Sequence, residues 1–246
     1  MTKIISIGIQ KGGSAKTAST AAIAEALVEM GHSVLAIDLD PQSSLTENYG
    51  IDADGKSIAE AIEGTATLQE ITVKTETGFY LAPSDIRLAL IETTIPGRIG
   101  ADMILKQLLA DVSADYVLID CPPSMGKLTI NALTASDTVL IPVKPNATDL
   151  RALRLFLGTI ELVRKNTNPE LKIGGIFATM TDNRLIHHQE ALEQLKGANL
   201  GYLGIAVKNG VAVAEAAAGH GSIVTYRPNS DQANAYRAIA KHIETL

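Results

Sequence analysis

A glycine-containing loop, Lys11-Gly-Gly-Ser-Ala-Lys-Thr-Ala18, lies between two stretches of regular pattern near the N-terminus. The residues before it, 4–9, form an apolar run typical of a strand, and residues 21–30 carry apolar side chains at helical spacing. A strand, a glycine loop and a helix start in this order form a cradle for an anion, because the loop N–H groups and the positive end of the helix dipole face the same point. The loop therefore predicts a phosphate site.

Apolar strand-like runs alternate with helical patterns along the rest of the chain. This alternation is typical of a three-layer, doubly wound α/β fold with a mostly parallel sheet and helices on both faces. We expect residues 1–246 to form a single domain, since α/β sheets often reach this size. Residues 43–75 mix helical and loop signals, and the bounds of helices and loops are least clearly predicted there. Further strands are predicted at 33–38, 78–83, 116–120, 138–142 and 174–179, and helices near 103–109, 128–133, 147–165, 187–197 and 229–246.

Cysteine content and hydropathy predict the compartment. The chain has one cysteine, Cys121, which excludes an intramolecular disulfide and predicts a small buried side chain. The N-terminus has a strand pattern in place of a signal peptide, and no apolar run approaches the roughly 20 residues of a membrane span. We therefore expect a cytoplasmic protein.

Charge is distributed unevenly along the chain, whose net charge is −6. Residues 1–143 hold 9 Lys and Arg against 18 Asp and Glu, whereas residues 144–246 hold 12 against 9. This asymmetry predicts a basic surface in the C-terminal part. An ordinary solvated surface is the alternative interpretation.

The loop departs from the standard motif GxxxxGK[ST]. Aligned on Lys16, the chain carries Gln10 and Ala15 where that motif has glycines, and it fits the pattern xKGGxGK[ST] except at Ala15. The whole chain resembles the ParA/MinD family of deviant Walker ATPases. The resemblance implies a P-loop fold, ATP and Mg²⁺ as cofactors, and ATP hydrolysis. It is carried, in family order, by the loop and by segments 38–42, 120–123, 131–133, 141–142, 179–182 and 215–226.

The resemblance implies roles for the charged residues of the phosphate site. Lys16 would reach the terminal phosphates of its own nucleotide, and Lys11 would cross an ATP-dependent homodimer interface to the partner's nucleotide. Asp38 would orient the attacking water. A solvated lysine before a turn is the alternative for Lys11, and a helix or turn cap is the alternative for Asp38. The nucleotide would be surrounded by Lys11, Gly12, Gly13, Ser14, Ala15, Lys16, Thr17 and Ala18.

Magnesium and the adenine base require further groups. The Thr17 hydroxyl would ligate Mg²⁺, and by resemblance Asp120 would hold a magnesium-bound water while Asp40 supports the same network. A cap at a strand end is again the alternative for Asp120. Met180 and Asp182 are predicted to contact the adenine, although core packing is the alternative for Met180.

Ala15 is the departure from the motif whose effect depends on backbone geometry. If the position requires a positive φ, the Cβ atom costs about 1 kcal/mol or more; if φ is negative, it costs little. We expect ATP binding to be retained, because Lys16, Thr17 and the two aspartates at strand ends would otherwise share no purpose.

The C-terminal part discriminates between two binding surfaces. Relatives of the ParA type bind DNA without sequence preference, whereas those of the MinD type insert a C-terminal helix into membranes. Here the terminal helix is required by the fold and has only Arg237 and Lys241 as basic residues, so membrane binding is not expected. Nonspecific DNA contacts are predicted at Arg184, Lys208 and Arg227, each of which could equally be a solvated charge.

The resemblance implies an ATP-driven dimeric switch that associates with the nucleoid. A ParB-like adaptor with a basic segment, bound to a plasmid, a chromosome or a protein body such as the carboxysome, would stimulate slow hydrolysis. Three alternatives stay open: a membrane-associated ATPase of the MinD type, a metabolic P-loop ligase, and a weakly hydrolysing nucleotide-binding scaffold.

Overall fold

The computed structural model describes residues 2–53, 55–219 and 221–246. Its strands are β1 (Lys3–Ile7), β2 (Val34–Asp38), β3 (Val73–Lys74), β4 (Tyr80–Ala82), β5 (Tyr116–Asp120), β6 (Thr138–Val143), β7 (Lys172–Thr181) and β8 (Tyr202–Lys208). Its helices are α1 (Lys16–Glu29), α2 (Ser44–Asn48), α3 (Ile58–Glu63), α4 (Leu68–Ile71), α5 (Arg87–Thr94), α6 (Ile104–Leu108), α7 (Lys127–Ala135), α8 (Ala147–Asn166), α9 (Ile186–Gly197), α10 (Val211–Ala217), α11 (Ile223–Tyr226) and α12 (Asp231–Ile243), with a 3₁₀ turn at Ile95–Gly97.

The strands form one sheet in the order β3-β4-β2-β5-β1-β6-β7-β8. Every neighbouring pair is parallel except β3 and β4 at one edge. Parallel neighbours need crossover connections, and most of these crossovers contain a helix, as the alternating pattern predicts. The predicted fold class is therefore confirmed.

Both faces of the sheet are covered. In β2, the side chains of Val34 and Ala36 pack in a buried cluster with α1 and α12, whereas those of Leu35 and Ile37 pack with α3, α5, α6 and α7 on the other side. A third cluster joins β6 and β7 to α8. Successive strand residues face opposite sides, so a strand buried on both faces has a continuous apolar run rather than an alternating one.

The register places the predicted site residues at one edge. Asp38 of β2 is paired with Asp120 of β5, and Ile7 of β1 is paired with the same Asp120. The glycine loop begins beyond Ile7, so the loop and both carboxylates lie at the carboxyl ends of adjacent strands. Open α/β sheets bind ligands at this edge.

Several elements were not predicted. Within residues 43–75, where helix and loop were predicted without bounds, α3 and α4 begin with capping boxes, Ser57 with Glu60 and Thr67 with Glu70, and this S/T-x-x-E spacing is a sequence signal for the start of a helix. The edge strand β8 is mostly exposed or half-buried and contains Gly204, so it lacks the apolar run by which the central strands were recognised. In the described part of the chain, no helix has the length and apolar character needed to cross a bilayer.

Candidate active site

The glycine loop leaves open space where a ligand would approach. Gly12 and Gly13 are exposed, and a Cβ atom built on either would meet no heavy atom within 4 Å. Gly13 has a φ of 74°, a conformation that side chains disfavour. The backbone is therefore accessible on the outer side of the loop, as an anion cradle requires.

Ala15 adopts a left-handed conformation, with φ 62° and ψ 31°, at the N-terminus of α1. In this conformation alanine destabilises the fold by about 1 kcal/mol relative to glycine, the residue that the motif has at this position. No side chain caps α1, and its first turn holds no acidic residue. The first N–H groups of α1 thus have no capping side chain and can bind an anion.

Two lysines belong to the loop. The Lys16 side chain is buried and its Nζ donates to the carbonyl oxygen of Lys11 at 2.8 Å. Burial lowers the pKa of Lys16, and the charge of Asp120 acts in the opposite direction. Lys11 itself is half-buried, and its Nζ lies 3.0 Å from Oδ1 of Asp149. One lysine therefore points into the loop and the other is ion-paired at its border.

Asp149 is a buried carboxylate near the start of α8, with a relative exposure of 1%. Besides Lys11, it accepts a hydrogen bond from the Ser14 hydroxyl at 2.7 Å and one from the Lys144 N–H at 3.2 Å, both on Oδ2. The Thr179 hydroxyl donates to the Ser14 carbonyl at 3.2 Å. These contacts fix the loop against β6, β7 and α8.

The paired aspartates are both fully buried but have different partners. Oδ2 of Asp38 accepts from the Thr46 N–H at 2.9 Å and the Thr46 hydroxyl at 2.8 Å, and Oδ1 accepts from the Asp40 N–H at 3.2 Å. Burial raises the pKa of Asp38 to about 6. Asp40 is half-buried and accepts from the N–H of Gln42 at 3.0 Å.

Asp120 has one unsatisfied oxygen. Its Oδ1 accepts from the Thr20 hydroxyl at 3.3 Å, whereas Oδ2 has no hydrogen-bond partner among the described residues. Burial, and then the charge of Asp38, raise the pKa of Asp120 to about 8. A buried carboxylate oxygen without a partner is costly unless a ligand or cation satisfies it. The site thus combines an anion cradle with an acceptor suited to a hydrated divalent cation.

Comparison with known proteins agrees with this geometry. A family model described as an AAA domain matches residues 2–173. The sporulation initiation inhibitor protein Soj of Bacillus subtilis is 36% identical over 250 residues, covering 99% of this chain and 98% of Soj. The chain belongs to the ParA/MinD family of P-loop ATPases. The chromosome-partitioning ATPase Soj of Thermus thermophilus is 34% identical over 243 residues, covering 97% of this chain and 94% of that protein.

A solved structure of a similar protein carries the ligands of the family. The cobyrinic acid a,c-diamide synthase of Mycobacterium smegmatis with bound ADP and magnesium is 36% identical and has a TM-score of 0.86, covering 98% of this chain and 93% of that one. The chain is an ATPase of the ParA/MinD family, and its cofactors are ATP and Mg²⁺. The open loop, the uncapped start of α1 and the unsatisfied oxygen of Asp120 fit that pair of cofactors.

Thr17 and Asp120 remain the residues predicted to hold Mg²⁺, with Asp40 predicted to support them. Thr17 is half-buried at the start of α1, next to Lys16. The described residues contain no group of three or more His, Cys, Asp or Glu able to bind a metal alone. Mg²⁺ usually keeps several waters and takes one or two protein ligands together with phosphate oxygens.

The predicted adenine contacts lie at the end of β7. Met180 is half-buried with a φ of 50°, a strained conformation for a residue other than glycine. The N–H of Asp182 donates to Nδ1 of His188 at 3.0 Å, which fixes the turn after the strand. A cavity of about 300 Å³ opens here and is lined by Thr181, Asp182, Asn183, Arg184, Lys208 and Asn209. Two predicted DNA contacts, Arg184 and Lys208, thus line the same cavity as a predicted base contact.

Each predicted DNA contact has an acidic neighbour. Arg184 Nη2 lies 2.7 Å from Asp182, and Lys208 Nζ lies 2.5 Å from Asp231. Arg227 Nη2 is 3.9 Å from Glu215 of α10. The hydrogen bonds from Arg184 hold the pKa of Asp182 well below its ordinary value. All three basic side chains are more than half exposed, so a phosphate group could compete with these surface ion pairs.

Four polar residues of the site were not predicted: Thr20, Thr46, Ser84 and Asp149. Asp149 had a sequence signal, since Asn146 caps α8 and an acid at the third helical position completes a capping pattern. Its carboxylate nevertheless turns to Lys11 and Ser14. Thr46 lies within residues 43–75, where the pattern predicts no clear element, and Ser84 follows Pro83. Neither residue therefore had a local pattern that indicated a role in the site.

Proposed function

We propose that this ATPase is a dimeric switch of the ParA type, in which ATP favours a dimer that binds DNA without sequence preference. The observation that carries the proposal is the position of Lys11: it lies at the border of the phosphate loop, while Lys16 already serves the loop from within. A second lysine at this place is suited to a nucleotide bound by another subunit. Its neutralising charge would act on the phosphates as an arginine finger does.

Within one subunit, the loop amides and the start of α1 bind the phosphates, and Lys16 compensates their charge. Asp38 accepts a hydrogen bond from the attacking water and orients it toward the terminal phosphate. Asp120 and Thr17 hold the metal side of the site. When held there, Mg²⁺ would supply positive charge against the phosphates. Phosphoryl transfer depends mainly on such positioning and charge stabilisation, and the buried edge of the sheet supplies both.

The dimer doubles the basic C-terminal part. Residues 144–246 carry 12 Lys and Arg against 9 Asp and Glu, and two copies would place Arg184, Lys208 and Arg227 on one assembly. Each of these three predicted contacts is ion-paired in a single copy, which supports a requirement for ATP-dependent dimerisation before DNA binds. The molecule would then associate with the nucleoid, and a cargo-bound adaptor of the ParB type with a basic segment would stimulate hydrolysis and release it.

Membrane attachment through the last helix has less support. Tyr236, Ile239 and Ile243 of α12 are buried in the cluster that covers α1. The apolar face of α12 therefore serves the core and cannot also enter a bilayer.

The deciding experiment measures binding of random duplex DNA by filter retention with ATP, with ADP and without nucleotide, over a series of salt concentrations. The proposal expects strong binding only with ATP and a steep loss with salt. Binding that is absent, or equal with ADP, would reject the DNA function. The reading frame next to the gene of this protein would identify the natural cargo, whether plasmid, chromosome or protein body, because it would encode the adaptor or another component of that cargo.

A second candidate is an ATP-dependent amide ligase. It is favoured by one observation, the name of the M. smegmatis relative, a cobyrinic acid a,c-diamide synthase. Such an enzyme would form a phosphorylated or amidated small carboxylate and would not need duplex DNA. Turnover that depends on an added small carboxylic acid would favour this function, whereas turnover stimulated by DNA would favour the switch.

A further inference from the structure

The buried hydrogen-bond network around Asp38 extends through one side chain that the proposed mechanism leaves without a role. Thr46 of α2 is 3% exposed and supplies two of the three hydrogen bonds that Asp38 receives. Both reach the same oxygen, Oδ2, from the Thr46 N–H and from its hydroxyl. A carboxylate oxygen accepts about two hydrogen bonds. Thr46 therefore saturates Oδ2.

The other oxygen of Asp38 keeps capacity for a ligand. Oδ1 accepts only the Asp40 N–H, at 3.2 Å, among the described residues. One acceptor position of Oδ1 is thus unfilled, and it is the position from which a water could be oriented. Because Thr46 binds two positions on Oδ2, rotation of the carboxylate would break both contacts. Thr46 thereby determines which oxygen stays free.

The Thr46 hydroxyl is itself held in one orientation. It gives its only proton to Asp38 and accepts the N–H of Ser84 at 2.9 Å. Ser84 lies just beyond β4, is 1% exposed, and its own hydroxyl donates to the Asp40 carbonyl at 2.7 Å. Reversing the Thr46 hydroxyl would leave the buried Ser84 N–H without a partner and Oδ2 of Asp38 with one donor instead of two, which is costly. The hydrogen bonds therefore run in one direction, from the Ser84 N–H to Thr46 and from Thr46 to Asp38. The Ser84 hydroxyl and the Asp40 carbonyl complete the same network.

We propose that Thr46 is a positioning residue for hydrolysis, which fixes the Asp38 carboxylate so that Oδ1 faces the attacking water. The inference rests on the proposed role of Asp38. Thr46 touches no reacting atom; it acts through Asp38, and Ser84 supports it through its backbone N–H. Loss of the hydroxyl would release the orientation of Asp38 without altering the loop that binds the phosphates.

The test compares steady-state ATP hydrolysis by wild type, Thr46→Val, Thr46→Ala and Thr46→Ser, with ATP affinity measured separately by calorimetry. Both variants that lack the hydroxyl should lose about tenfold or more in kcat, because a hydrogen bond to a charged group is lost, while KM and ATP affinity change less than about twofold. Thr46→Ser retains the hydroxyl and should keep kcat within about threefold of wild type. The alanine variant also avoids placing a methyl group against the carboxylate, so agreement between the two separates hydroxyl loss from misfolding.

Thr134→Val is the matched control. Thr134 is fully buried in α7, and its hydroxyl contacts that of Thr167 at 2.8 Å, outside the phosphate site. This variant loses a buried hydroxyl of the same kind and should keep kcat. A fall in kcat equal to that of Thr46→Val would indicate general destabilisation and would overturn the inference.

Asp38→Ala distinguishes the two proposals. If Asp38→Ala hydrolyses ATP at the wild-type rate, the role of Asp38 fails and the positioning role of Thr46 fails with it. If Asp38→Ala binds ATP without turnover but Thr46→Val and Thr46→Ala turn over normally, only the inference about Thr46 is rejected. Loss of kcat in both, with rescue by Thr46→Ser, supports the inference.

Discussion

Lys11 and Asp149 form an ion pair within one subunit, with Nζ 3.0 Å from Oδ1. In the role proposed for it, Lys11 would have to leave this contact to reach the nucleotide of a partner subunit. Asp149 has other donors, the Ser14 hydroxyl and the Lys144 N–H, so it does not depend on Lys11 for hydrogen bonding. Under the proposed function, the ion pair would therefore compete with dimerisation, and ATP binding would have to supply the free energy that breaks it.

We expect Asp149→Asn to strengthen the ATP-dependent dimer. The amide has nearly the same shape and can still accept from Ser14, but it no longer attracts the Lys11 ammonium. Sedimentation with a non-hydrolysable ATP analogue should give a dimer dissociation constant about tenfold lower than that of wild type.

The control for this prediction is Lys11→Ala, which should bind nucleotide yet remain monomeric. The double variant should be monomeric as well, because the gain from Asp149→Asn acts through Lys11. A normal ATP dimer of Lys11→Ala would contradict the role assigned to Lys11, and an unchanged dimer of Asp149→Asn would show that the ion pair does not compete.

Ala15→Gly should stabilise the protein. The backbone at this position has φ 62°, where alanine costs about 1 kcal/mol relative to glycine. For a chain of this size, relief of that strain should raise Tm by about 2–4 °C in a thermal melt without nucleotide.

Ala24→Gly is the matched control for Ala15→Gly. Ala24 lies inside α1 and is fully buried, so glycine there removes a packed methyl group and loosens a helical position. Its Tm should fall. A fall of similar size in Ala15→Gly would contradict the left-handed geometry at the loop.

The sequence predicts those parts of the site that depend on the local pattern of apolar and polar residues. Asp38 and Asp120 each end an apolar run, and parallel strands bring such ends to one edge, so their proximity followed from periodicity and was found in register. Contacts between distant segments carried no such signal: Ser14 meets Asp149 across 135 positions of sequence separation. The conformation of Ala15 was likewise decided by the structure, because the sequence permitted either sign of φ.

The stability of the nucleotide-free protein should depend on Asp120 and pH. Burial and the charge of Asp38 raise the pKa of Asp120 to about 8, so the folded protein binds this proton more tightly than the unfolded chain. The contribution of Asp120 to stability therefore falls as pH rises from about 4 to about 8. Asp120→Asn should raise Tm more at pH 8 than at pH 5, and the difference should correspond to at least about 1 kcal/mol.

Asp115→Asn is the control, because the pKa of Asp115 is shifted in the direction opposite to that of Asp120. Hydrogen bonds from Ser33 lower the pKa of the exposed Asp115, so its favourable contribution is complete above the ordinary pKa and is lost only in acid. Its loss of Tm should be no larger at pH 8 than at pH 5. A change in Tm for Asp120→Asn that is equal at both pH values would refute the raised pKa of Asp120.

DNA binding should respond in opposite directions to the two partners of one surface ion pair. Lys208 is paired with Asp231, and both side chains are more than half exposed. Lys208→Ala should weaken ATP-dependent binding of random duplex and reduce the slope of log K against log salt by about one for each subunit that contributes the contact. Asp231→Asn removes the carboxylate that competes with phosphate for Lys208 and also removes a negative charge, so the affinity for DNA should rise.

Lys106→Ala is the charge-matched control, because Lys106 is an exposed lysine of α6 in the acidic N-terminal part. This variant should leave the affinity for DNA within about twofold of wild type. If all three variants follow net charge alone, with Lys106→Ala as harmful as Lys208→Ala, then Lys208 has no specific place in a DNA surface.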